Sequence, residues 1–253
     1  MKKMLFFLCL LPMGMQLWAQ PQQPPYTRAD MGYKGPVKTV TTYYEDIING
    51  MPYTKVEQFN RQGFLVRRSV NGEMRNGTKV YHFDNSNRLT SYCEYSFDST
   101  ISTLVYDKKG CVVRATVINY TEEGEIEYDT TTFVNRDDCK PKSINGQYIF
   151  TYDKNGRVVS MKNGDWICEY TYDAAGNLVC ENTNRGEFVS YYVYDKRGLC
   201  IHQSDFRGSE ELKTRNYSYP EPFDKFGNWL KCSTTYPAEG PEEELATRII
   251  EYY

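Results

Sequence analysis

The chain is poor in the residues that most hydrolytic motifs require. Only His82 and His202 occur among 253 residues, with no His-x-x-x-His spacing and no Gly-x-Ser-x-Gly elbow, so zinc-pair and serine-elbow hydrolases lack their parts. Both histidines read as strand positions near a rim. Leucine is scarce: 13 residues, five of them among the first 17, against 23 tyrosines. That balance argues against a helical bundle, because straight-chain residues fill helices while aromatic and β-branched residues favour strands. Neither sign of charge dominates, with 33 acids against 30 bases and no long single-sign block. There is thus no electrostatic footprint for nucleic acid or an acidic membrane. A mean hydropathy of −0.66 argues against an outer-membrane barrel, which needs a lipid-facing apolar residue at every second strand position.

One apolar run is present, at the start. Lys2-Lys3, the stretch Met4 to Met13 and then Ala19 before Gln20 form the pattern of a secretory signal peptide. The run is shorter than the roughly 18 apolar residues a membrane span needs. We expect a signal peptide at 1–19, a Pro/Gln-rich linker at 20–35 and one sheet domain at 36–253. The protein is expected to be exported, whether periplasmic, cell-surface or secreted, with no membrane span.

The rest of the sequence repeats. Tyr152-Asp153-Lys154-Asn155-Gly156-Arg157-Val158 returns at Tyr172-Asp173 with Gly176, Tyr194-Asp195 with Gly198, Tyr106-Asp107 with Gly110 and Phe223-Asp224 with Gly227. Looser copies are Phe59-Asn60 with Gly63, Phe83-Asp84 with Asn87, and Val134-Asn135-Arg136-Asp137-Asp138. In each, Asp bonds the backbone N–H groups of a turn, and Gly three residues later takes the left-handed conformation that closes a hairpin. A second set, including Asn49-Gly50, Glu123-Gly124, Asn145-Gly146 and Arg185-Gly186, alternates with the first. The alternation describes an all-β, up-and-down antiparallel meander forming a curved or curled sheet, or alternatively a closed barrel-like strip. Tyr152 should face Val158 and Tyr172 should face Leu178. Two residues outward, Tyr170 should face Cys180.

The Tyr-Asp-x-x-Gly-x-Leu pattern resembles the YD repeat of Rhs and teneurin-like proteins, from about Phe59 to Leu230. In large members of that family the strip spirals into a hollow shell around a toxin. This chain has too few copies to enclose a protein and lacks the Asp-Pro-x-Gly pair of the shell's self-cleaving segment. The resemblance therefore implies the strip fold and says little about activity.

The turn acids Asp84, Asp107, Asp153, Asp173, Asp195 and Asp224 line one rim. They could be read as paired carboxylates of a glycosidase. A turn-stabilising role explains them better, because a Gly or Asn partner recurs with each. No metal ligands or cofactor motif is found, and the chain is expected not to be an enzyme. Tyr152, Tyr170, Tyr172, Tyr192, Tyr194 and Trp229 are candidate ligand-stacking aromatics. The function expected is an exported binding module for carbohydrate or cell-envelope polymer. The alternative is a structural protein that joins an envelope protein through its exposed first and last strands.

After the signal is removed, seven cysteines remain, an odd number. Cys111 and Cys139 should lie two strands apart, near 10 Å, beyond the roughly 7 Å limit of a disulfide. Cys168 with Cys180 is the only pair the expected register makes plausible, so most thiols should be free.

Overall fold

The computed structural model describes residues 27–253 apart from 46–50, 73–75, 97–98, 121–124, 239 and 241–242. The expected signal peptide and the turns Asn49-Gly50 and Glu123-Gly124 lie outside the described residues. Eighteen strands follow one another: β1 Val37–Glu45, β2 Tyr53–Phe59, β3 Leu65–Gly72, β4 Gly77–Phe83, β5 Leu89–Tyr95, β6 Ser99–Tyr106, β7 Val112–Tyr120, β8 Ile126–Asn135, β9 Pro141–Ile144, β10 Tyr148–Tyr152, β11 Val158–Asn163, β12 Trp166–Tyr172, β13 Leu178–Thr183, β14 Phe188–Tyr194, β15 Cys200–Arg207, β16 Glu210–Ser218, β17 Lys231–Thr235 and β18 Glu243–Tyr252. Each pairs antiparallel with the next, and β18 returns to β1 with Val40 opposite Ile250 and Thr42 opposite Arg248. The strip is a closed all-β barrel, with no helix among the described residues. Closure corrects the expectation that the first and last strands pair with a partner, since each already occupies the other's edge.

The turns on one rim explain how the strip closes. Asp153 N–H donates to Arg157 O at 2.9 Å and Gly156 N–H donates to Asp153 O at 3.0 Å, and Gly156 has φ +74°. Just beyond the turn the register slips by one: Tyr152 pairs with Val158, but Thr151 pairs with Ser160. Val159 is therefore an extra residue. The same slip follows Tyr106, Tyr172 and Tyr194. Each such bulge adds right-handed twist and bends its strand, which is how a long ribbon acquires curvature. The slip also corrects the outward register. Tyr170 faces Glu181, and Cys180 pairs with Thr171 on the opposite face, so Cys168 and Cys180 do not share a wall.

Phe59, Leu65, Leu89, Phe150, Val158, Cys168 and Tyr170 are buried on the inner face. The outer face carries exposed Thr130, Lys162 and Glu169 among Ile149 and Tyr128. The buried apolar side chains form three groups, one around β1–β5, one along β9–β13 and one around β17 and β18. None of these groups joins β2–β5 to β10–β13. A wall of 18 strands is too wide for its own side chains to fill.

Residues 27–35, part of the stretch whose composition reads as a linker, lie against this wall. Arg28 N–H donates to Gly63 O at 2.8 Å, and Tyr33 is buried with its hydroxyl donating to Glu57 Oε2 at 2.5 Å. Glu57 has a fully buried side chain, with Arg68 Nε at 2.9 Å and Lys55 Nζ at 3.3 Å. Burial alone would raise its carboxyl pKa, but Lys55, Arg68 and the Tyr33 hydroxyl hold it down at about 2.

Cys111 and Cys139 form a disulfide with α-carbons 4.9 Å apart, against the expected gap. The reason lies at the rim. At three other turns the tyrosine ahead of the turn reaches the preceding hairpin: the hydroxyls of Tyr106, Tyr152 and Tyr172 donate to Leu89 O, Pro141 O and Val158 O. In the β8–β9 turn that position belongs to Asn135, whose short amide donates to Val112 O at 2.6 Å. Without a ring as spacer the two turns close up, and Lys109 reaches Asp137 at 3.1 Å. The frame of this copy is also one residue later than the motif suggests. Cys139, not Asp138, holds the left-handed position, at φ +62°.

Two outcomes are expected. Alkylation of the unfolded, unreduced chain from residue 20 should label five thiols, at Cys93, Cys168, Cys180, Cys200 and Cys232. Reduction should add Cys111 and Cys139, and opening this bridge, with its sequence separation of 28, should cost about 3–4 kcal/mol. Seven labels before reduction would refute the bridge. Separately, Glu57→Gln should destabilise the barrel by about 1.5–3 kcal/mol in denaturant titration, because it takes the carboxylate from the partly buried Lys55 and Arg68. A loss below about 1 kcal/mol would mean that those cations find water instead.

Candidate functional site

The sequence-selected residues fall into two groups, a rim lattice and an inner wall. On the rim, Asp153 Oδ1 accepts the N–H groups of Asn155 and Arg157 at 2.9 Å, and its Oδ2 takes Arg157 Nε at 2.7 Å. Asp84 repeats the arrangement with Ser86 and Arg88, and Asp195 with Arg197 and Leu199. Asp173 and Asp224 use the Asn177 and Asn228 amides, and Asp224 also receives the Tyr252 hydroxyl. Asp107 Oδ1 accepts from Lys109 and Cys111 N–H. Gly110, Gly176, Gly198 and Gly227 hold left-handed φ values in the same turns. These carboxylates are committed to their own turns, and none is brought against another as a catalytic pair.

The aromatics divide according to what covers them. Arg136 lies 4.7 Å from the Tyr152 ring centre and Arg157 lies 4.5 Å from that of Tyr172, while both hydroxyls are engaged with backbone. Each ring is thus clamped between a cation and the preceding hairpin. Tyr170 is buried in the β9–β13 group. Trp229 is buried with Arg248 at 3.3 Å from its ring centre. Of the six candidates, Tyr192 and Tyr194 remain partly exposed with no cation or ring stacked on them among the described residues.

Around Tyr192 the inner wall becomes polar, a feature that the residue types alone do not reveal. Register places Glu181, Ser190 and Asp205 in one row across β13, β14 and β15, with Tyr192 opposite Gln203 and Gln203 opposite Arg215 on β16. Asp205 Oδ1 accepts from Ser190 Oγ at 2.8 Å and Gln203 Nε2 at 3.0 Å, and Oδ2 accepts from Arg215 Nη1 at 2.7 Å. The Tyr217 hydroxyl donates to Gln203 Oε1 at 3.1 Å. Burial would lower the Arg215 pKa, but its hydrogen bond to Asp205 raises it. Burial, with Asp205 adding like charge, pushes the Glu181 carboxyl up. The wall therefore holds planar donors and acceptors beside an aromatic ring. No group of three or more His, Cys, Asp or Glu that could hold a metal is found among the described residues.

No family model matches the chain. Among curated proteins it is 27% identical over 199 residues to the tRNA3(Ser)-specific nuclease WapA of Bacillus spizizenii and 28% identical over 199 residues to the tRNA nuclease WapA of Bacillus subtilis. Each match covers 72% of this chain and 8% of the relative, so the chain spans less than a tenth of their length. The expectation that the chain is not an enzyme is contradicted by these relatives, since both are named for a nuclease activity. Among solved structures, a porin-like protein from Bacteroides uniformis matches at TM-score 0.48 and 12% identity, over 87% of this chain and 99% of that one. The TcdB2-TccC3-Cdc42 structure matches at 0.37 and 14% identity, over 78% of this chain and 12% of that one. The Tc holotoxin pore of Photorhabdus luminescens matches at 0.33 and 9%, over 77% and 16%.

The rim acids generate a pH prediction. The Arg157 N–H and guanidinium hold the Asp153 carboxyl below the usual carboxylate range. A depressed folded value means that the stabilisation is fully present above the unfolded value of about 3.9 and is lost as pH falls below it. Denaturation midpoints of Asp153→Asn should therefore fall less steeply than wild type on acidification below about pH 4. Parallel slopes would remove the carboxylate from the turn's energetics.

Proposed function

We propose that the chain is an exported barrel module that binds a glycan or cell-envelope polymer on its inner wall. The observation that carries this reading is the patch of Tyr192, Gln203, Asp205, Arg215 and Tyr217. An aromatic face stacks on the apolar side of a sugar ring, and planar amide, carboxylate and guanidinium groups match its hydroxyls. The basic and apolar start of the sequence supports export. The turns at Asp107, Asp153, Asp173, Asp195 and Asp224 support the YD-repeat resemblance, because the same hydrogen-bond pattern recurs in each.

A glycan array on the chain from residue 20 tests the reading. Binding to one class of saccharide is expected, with Tyr192→Ala and Gln203→Ala each weakening it at least about tenfold. An array without retained glycans, or binding indifferent to both substitutions, would refute the assignment.

A further inference from the structure

On the outer wall, away from the patch just described, three side chains form a hydrogen-bonded chain. Antiparallel register sets His202 on β15 opposite Asn216 on β16, and Ser204 opposite Thr214. Residues two apart on a strand share a face, so His202 and Ser204 are neighbours. Asn216 Oδ1 lies 2.7 Å from His202 Nδ1, and His202 Nε2 lies 2.8 Å from Ser204 Oγ. An amide oxygen only accepts, so Nδ1 carries the proton and the Nε2 lone pair faces the serine hydroxyl. Thr214 does not compete for that proton. Its hydroxyl is the donor in both of its contacts, to Glu211 Oε1 at 2.6 Å and more distantly to Ser204 Oγ at 3.3 Å.

We propose that Ser204 is a nucleophile towards carboxylic esters, with His202 as its general base and Asn216 as the positioning residue. As Ser204 Oγ bonds to the acyl carbon, its proton passes to His202 Nε2. The carbon–alkoxy bond then breaks and the alcohol leaves with that proton. Water attacks the acyl-serine, again giving its proton to Nε2, and the acid departs as Ser204 recovers its hydrogen. Each residue plays the part that recurs in unrelated nucleophile–base–orienter sites.

The surroundings set the substrate class and the pace. Ser204 is 8% exposed, between Tyr191 of β14 and Thr214, so a small acyl group such as acetyl is the one admitted. Backbone N–H groups along β15 are engaged in the sheet ladders, which leaves no preformed pair of backbone donors for the tetrahedral oxyanion. Losing one such donor costs other hydrolases roughly 100- to 1,000-fold, so acylation by an activated ester should outrun its release. The expected behaviour is a burst of one acyl group per chain followed by slow turnover.

The test exposes the whole chain to p-nitrophenyl acetate and maps acetylation by peptide mass spectrometry, with rates followed by nitrophenolate release. Ser204 should be acetylated, and Ser204→Ala should abolish both burst and modification at that peptide. His202→Gln, which keeps a polar side chain, should slow the burst at least about 100-fold. Asn216→Asp should accelerate it, because a carboxylate stabilises the imidazolium better than an amide does; a merely structural asparagine would not produce that gain. Thermal midpoints within a few degrees of wild type establish that each variant is folded, and where His202→Gln fails that criterion, His202→Asn is compared instead. Acetylation confined to lysines and tyrosines, or a Ser204 burst unaffected by changing His202, would overturn the proposal. Glycan binding on the inner wall is measured independently of all these outcomes.

Discussion

The extra residue that follows each left-handed turn on one rim governs the architecture. A flat ribbon of this length would leave its aromatic face in water, and no helix among the described residues packs over it. Repeated at successive hairpins, the bulge bends the ribbon in one direction until β18 meets β1. Closure then turns the aromatic face inward and uses up both edges.

Closure does not supply a filled interior, and the wall is held by local devices instead. At the rim, a tyrosine hydroxyl capped on the preceding hairpin and a guanidinium over its ring tie neighbouring turns together. These tyrosines act as spacers of fixed length, which is why the one turn with asparagine in that place draws close enough to be bridged by sulfur. Inside, charges are tolerated where they satisfy each other, as Glu57 does with Arg68 and Lys55, and Asp205 with Arg215.

The hairpins were legible in the sequence because a turn is a local object: Asp153 and Gly156 specify theirs within four residues. The barrel was legible only as an alternative, since curvature accumulates from small bends that no single motif records. Side-chain neighbours across strands were legible only up to the bulge: Tyr152 does face Val158 and Tyr172 does face Leu178, but the pairs farther out were not. A bulge shifts every residue beyond it by one, so Cys180 moved to the other face and Glu181 took its place opposite Tyr170. The Asn135 copy misled for a related reason, because without an aromatic the frame of the turn is ambiguous by one residue. His202 and Ser204 share a face on any strand reading, but Asn216 joins them only once the register of β15 against β16 is known.

The seam between β1 and β18 sets the order in which such a chain acquires its shape. Every other ladder joins strands that are adjacent in sequence, so hairpins form early and extend the sheet by short loop closures. The seam alone must bring together segments separated by nearly the whole chain, for example Thr42 with Arg248, and so it forms last. Until it does, the curled ribbon presents two unpaired edges with the same hydrogen-bonding pattern that will later join them. A second ribbon is then a competitor for each edge, and high concentration during refolding favours intermolecular seams over the closed ring.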